Sequence, residues 1–373
     1  MRVVLAPDKF KGTLGARATA QAMARGVERV WPRAKVVLLP VADGGDGTAE
    51  VLLSAVGGEV DELVVAGPLG EPVVAPLTRL ADGRTVVEMA AASGLAAGGV
   101  RNALRASSRG TGDLVRAALE RFGGEVVVGI GGSASSDGGT GAATALGWDF
   151  LDAGGQRVSP GGGGLRDLSA ISGDKVIPEV GSGSVVGVSD VDNPLLGPRG
   201  AAAVFGPQKG ASPSDVEALE AGLQRLSEVV RSELGIEVAS LERGGAGGGM
   251  GAGLVAFFGA TLKPGFETVA AAIGLAGALA EADIVVTGEG RLDAGSLGGK
   301  APAGVARLAA EAGIVCVAIA GEVATTDEEL QALGIAGAAG LVAEVGERRA
   351  LQDPSGALEE VTAALLARLE LQG

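Results

Sequence analysis

The chain has 373 residues, 47% apolar and 20% charged, the profile of a globular protein and enough length for two domains. Its formal net charge of −15 excludes the broad basic face that nucleic acid or an anionic membrane requires. There is no His and no Tyr, so proton transfer and metal binding fall to carboxylates, Lys, hydroxyls or the single cysteine.

The first strand-like run, residues 2–6, follows Met1 directly, so no leader is read and a cytoplasmic protein is expected. It opens into a loop bearing Lys9 and Lys11. Thr13 is the expected cap of a helix running through Ala18, Met23, Val27 and Val30. Two lysines before a helix N-terminus suit an anion. A second strand over residues 36–40 leads to Asp43 and Asp46 with glycines between and around them, a pattern that fits Mg²⁺ bound through one or two carboxylates. Residues 62–66, 73–80 and 85–89 then read as short strands broken by turns, with Asp82-Gly83 as a hairpin signal. This change of pattern marks an inserted domain. We place it at residues 62–282, leaving 1–61 and 283–373 as one discontinuous domain.

The apolar run 126–130 feeds a loop of small residues that includes Gly131, Gly132 and Ser133. Bare backbone there lets N–H groups approach phosphate oxygens. With Ala134 and, farther on, Asp149, it also fits a weak dinucleotide signature. The strand at 185–188 ends in Asp190 and Asp192, two carboxylates on one side of an extended chain, fit for metal binding or for a base. Lys209 lies in a tight turn offering one cation. Residues 244–253 hold seven glycines, Gly248 and Gly249 among them, and read equally as a nucleotide bed or a hinge. The uncharged stretch 244–262 is too rich in glycine to cross a membrane. After the strand at 284–287 come Glu289, Arg291, Asp293 and Lys300. Ala294 and Ala301 stand where a P-loop needs Gly and Ser/Thr, so that motif is rejected. Cys316 sits in the apolar run 314–320 as a core residue. Asp353-Pro354 starts a final helix with Leu358, Val361, Leu365 and Leu369 on one face. The apolar runs alternating with helical segments are those of an α/β protein with parallel strands.

Six stretches carry a resemblance: APDKFKGTL (6–14), PVADGGDGT (40–48), GIGGSASSDGG (129–139), SDVDNPLLGPRGAAAVFGPQKGA (189–211), GGAGGGMGAGL (244–254) and TGEGRLDAGSLGGKAPAGVA (287–306). Together, and in this order, they resemble the bacterial type I glycerate kinase family. The resemblance implies ATP-dependent phosphorylation of D-glycerate, giving 2-phosphoglycerate. It also implies a flavodoxin-like α/β domain interrupted by a second α/β domain with a mixed sheet, and an active site in the cleft between them.

On that basis Mg²⁺ is expected on Asp43, Asp46 and Asp192, with Asp190 also available. Lys9, Lys11 and Lys300 are expected on phosphates or on the glycerate carboxylate, which Arg291 would grip. Asp190 is the first choice for taking the hydroxyl proton and Asp293 the second. Gly131, Gly132, Ser133, Gly248 and Gly249 are expected to hold ATP. The expected partners are ATP and D-glycerate, without nucleic acid or membrane; a homodimer is admissible. Two other functions remain open at this stage: an NAD-dependent dehydrogenase of a small hydroxy acid, and a non-enzymatic sugar-acid sensor.

Overall fold

A computed structural model describes residues 1–10, 12–96, 101–180, 184–293 and 300–370. The described strands are β1 (Arg2–Pro7), β2 (Lys35–Leu38), β3 (Gly58–Ala66), β4 (Pro72–Leu80), β5 (Thr85–Glu88), β6 (Val126–Gly129), β7 (Asp149–Leu151), β8 (Ala170–Ser172), β9 (Val185–Val188), β10 (Thr261–Lys263), β11 (Ile284–Leu292), β12 (Val315–Val323) and β13 (Ile335–Gly340). They fall into two compact units. One comprises Met1–Asp43, Glu50–Ala55 and Phe266–Gly373; the other comprises Gly44–Ala49 and Val56–Gly265.

The first unit holds a sheet in the order β13-β12-β11-β1-β2, every pair parallel. Counted within the unit, that order is 2-1-3-4-5, the flavodoxin-like arrangement. Its central strands are apolar without alternation because both faces are covered. Val3, Leu5, Val286, Val317 and Ile319 pack on one side with the helices Ala16–Val30 and Pro354–Glu370. Val4, Ala6, Val285, Cys316 and Ala318 pack on the other with the helices Gly265–Ala272 and Ala301–Ala312. Successive strand residues point to opposite faces, so one apolar run supplies both cores. Leu358, Val361 and Leu365 of the last helix are buried, as its spacing requires.

The cap of the first long helix differs from expectation. The helix begins at Ala16 after Gly15, without a side-chain cap, and the Thr13 hydroxyl donates instead to the Phe10 carbonyl at 2.8 Å. The isolated bridge Phe10↔Leu14 keeps Thr13 in a loop ahead of the helix, too early to cap it.

The second unit holds a mixed sheet, β10-β9-β6-β5-β4-β3. Strands β5, β6, β9 and β10 run parallel, and β4 and β3 continue the sheet antiparallel. The expected hairpin is present between β4 and β5, with the Leu80 N–H donating to Arg84. A small pair, β7-β8, completes the strands. Among the described residues, no helix is long and apolar enough to cross a membrane.

Candidate active site

In an open parallel sheet, ligands bind beyond the carboxyl ends of the strands, at the point where the strand order reverses. In the first unit that point lies between β1 and β11, the neighbours that start the two directions of the sheet. Pro7 pairs with Gly288 there, and the Asp8 N–H donates to the Gly288 carbonyl at 2.8 Å. Asp8 is 8% exposed, and its Oδ1 accepts from the Lys9 N–H at 2.6 Å. Its carboxyl is pushed up from 3.8 to about 7, first by burial and then by repulsion from Asp43, with Glu289 adding to it and Lys9 opposing it. Three of the segments read from the sequence therefore do not act alone: the ends of β1, β2 and β11 bring Asp8, Lys9, Asp43 and Glu289 into one electrostatic group.

Farther along β11, Arg291 is exposed and bound to acids already. It pairs with Glu322 at 3.1 Å and with Asp293 at 3.4 Å. Lys300 is half-buried at the residue preceding the helix Ala301–Ala312. Lys11 lies outside the described residues.

The second unit assembles a different group at the carboxyl ends of β6 and β9, which pair through Gly129↔Val188. The loop after β6 is crowded by backbone. A Cβ on Gly131 would stand 2.6 Å from the Gly45 Cα, and one on Gly44 would stand 3.0 Å from the Val188 carbonyl. Only glycine lets residues 44–45, 129–131 and 188 meet so closely. Gly132 is exposed with φ +74°, and Ser133 is buried. The loop's carboxylate, Asp137, is fully buried and used internally. It accepts from the Ser108 N–H and hydroxyl at 2.8 and 2.9 Å, and from the Gly139 and Gly141 N–H groups at 3.2 Å.

Asp190 follows β9 and is half-buried, while Asp46 is exposed. Asp192 is exposed and accepts from Arg199 at 2.8 Å. The turn 189–193 is braced by Arg243, whose N–H donates to Asp192 and whose Nε donates to the Ser189 carbonyl, each at 3.3 Å. Arg243 adopts φ +63°, an uncommon conformation for a residue with a Cβ. Gly247, Gly248 and Gly249 are all left-handed, at φ +64°, +72° and +90°. Gly248 and Gly249 are buried against residues 135–138 of the loop, supporting it from within the protein. The glycine run thus acts as a packing bed, and the regular helix continues from it to Phe258.

Comparison with known proteins decides the family. A model described as the glycerate kinase family matches residues 3–370. The chain belongs to the glycerate kinase family. It is 42% identical over 338 residues to a glycerate kinase of Bacillus subtilis (strain 168), covering 90% of this chain and 88% of that protein. It is 43% identical over 324 residues to a glycerate 2-kinase of Escherichia coli K12, covering 86% and 85%. The crystal structure of a protein from Salmonella typhimurium LT2, assigned as glycerate kinase 2, aligns with a TM-score of 0.84 and 39% identity over 100% of this chain and 99% of that one.

Membership in this family replaces the dehydrogenase and sensor readings. Asp149, the acid needed for a nucleotide ribose, instead belongs to the small β7-β8 sheet and pairs with Arg157 and with Lys175 at 2.9 Å. Those two cations hold its carboxyl below the usual range.

Two groups of this glycerate kinase family member went unassigned in the sequence. Asp8 lay inside a quoted motif, but its burial beside two other acids depends on the strand order. Lys209 stands in a turn that suggests an exposed cation, yet it is 2% exposed. Among the described residues no set of three or more acids or thiols is arranged as a metal cage.

Proposed function

We propose that this protein is a type I glycerate kinase, transferring the γ-phosphoryl group of ATP to a hydroxyl of D-glycerate and yielding 2-phosphoglycerate. The supporting observation is a family match that spans almost the whole chain and so includes both the acid group at β1/β11 and the glycine loop after β6. Such transfers depend on placing the reactants and offsetting charge, and little covalent chemistry is asked of the protein.

The 129–139 loop is assigned the ATP phosphates, through backbone N–H groups of Gly131 and Gly132 and the region of Ser133. Lys9, Lys11 and Lys300 are assigned to phosphates or to the substrate carboxylate. Arg291 grips that carboxylate, sharing its guanidinium with Glu322 and Asp293. The donor set fits Mg²⁺: burial first, and then repulsion from Asp43 and Glu289, lifts Asp8 to about 7, and a divalent cation relieves the repulsive part. Asp43 and Asp46 are the residues to hold it; Asp192 joins them only by releasing Arg199. Bound there, Mg²⁺ would neutralise phosphate charge.

Asp190 is assigned the proton of the attacking hydroxyl, with Asp293 second. In a coupled assay with ATP, Mg²⁺ and D-glycerate, the protein turns over, and Asp190→Asn lowers kcat by roughly 10²–10⁴-fold while the fold is retained. Near-normal kcat in that variant removes Asp190 from the role and moves it to Asp293.

A further inference from the structure

Lys209 is among the largest fully buried side chains described. A buried ammonium is costly unless its donors are satisfied and its charge has a use. Its Nζ donates to the Ser133 hydroxyl at 2.9 Å and to the Ser135 carbonyl. No carboxylate pairs with it among the described residues; Asp137 acts on it from a greater distance. Burial pulls its ammonium down from 10.5 to about 7, and Asp137 opposes that shift.

Three backbone segments close around this amine. Lys209 ends the short turn Pro207–Lys209, which the left-handed Gly210 terminates. Gly248 lies so near that a Cβ would stand 2.7 Å from Nζ and 2.1 Å from the Ser135 oxygen. The third segment is the loop itself. Asp137 ties its later part, whereas Ser135 and Ser136 bring buried hydroxyls with no hydrogen-bond partner among the described residues. Backbone pairing with residues 93–95 also holds the loop, with the Ala134 N–H donating to the Ser93 carbonyl at 2.8 Å, and Lys209 adds the hold on the Ser133 hydroxyl and the Ser135 carbonyl. A loop that receives an anion must turn its carbonyls away from it, and an ammonium on the inner side does this for Ser135.

We propose that Lys209 is a positioning residue for ATP, its buried ammonium fixing the Ser133 hydroxyl and the Ser135 carbonyl so that the loop's N–H groups receive the phosphates. This rests on the assignment of residues 129–139 to the ATP phosphates. The same charge lies beneath the anion, so each favours the other. The charged groups facing Lys209 are Asp137 and Arg101, the latter lining with it a cavity of about 10 Å³, room for no more than one water.

The test compares Lys209→Met with Gly132→Ala, the second of which alters the loop without touching the amine. In Lys209→Met the KM for ATP is expected to rise by roughly tenfold or more, while the KM for D-glycerate changes by less than about twofold. A rise in Gly132→Ala alone overturns the role of Lys209 and leaves the loop assignment standing. An unchanged KM for ATP in both variants overturns the loop assignment and the proposal with it. Should Lys209→Met not fold, ¹³C NMR of the native protein decides. The chain has seven lysines, and the signal titrating near neutrality is expected to shift its titration upward by about one pH unit when ATP saturates the protein. A spectrum with no low-titrating lysine, or one that ATP leaves unchanged, overturns the proposal.

Discussion

Asp8 illustrates how a residue's chemistry is set by its surroundings. Its folded carboxyl holds a proton to about pH 7, whereas an unfolded chain releases it near 4. The folded state therefore binds more protons in that window, and stability falls as pH rises through it. Asp8→Asn, measured without Mg²⁺, should be more stable than the native protein at pH 8, by roughly 2–4 kcal/mol, and no more stable at pH 4. Denaturant titrations at both pH values check this; equal midpoints at pH 8 would show that the acids do not repel as described. Neither Asp8 nor Lys209 declares itself in the sequence, since both stand in motifs where any charged residue looks solvent-facing. What singles them out is burial, and burial follows from which strands become neighbours.

At the level of elements, the strands are legible because each central one is a short, nearly unbroken apolar run covered on both faces. Residues 126–130 and 315–320 illustrate this, appearing as β6 and β12. Thr13 was not legible as a loop residue, because cap preference speaks of residue type and not of where the bridge Phe10↔Leu14 leaves the chain. The run 244–253 was equally opaque. Its glycines mark a need for bare backbone without saying what approaches it. The structure answers with the 135–138 loop, and Gly248 is the tightest point. Gly248→Ala combines a left-handed φ with a Cβ 2.1 Å from the Ser135 oxygen. It should cost about 1–3 kcal/mol and weaken ATP binding at the same time. Thermal melts and the KM for ATP report the two effects. A variant as stable as the native protein would mean that the loop does not lean on this glycine.

Across the whole molecule, the strand order 2-1-3-4-5 and the mixed second sheet agree with the fold that the six motifs implied. The order matters for chemistry because it places the ends of β1 and β11 side by side and so creates the acid group around Asp8. The most direct measurement is NMR identification of the product formed by the full chain from ATP, Mg²⁺ and D-glycerate. The expected result is one equivalent of 2-phosphoglycerate for each ATP consumed. Phosphate released to water without a phosphorylated glycerate, or 3-phosphoglycerate as the product, would contradict it.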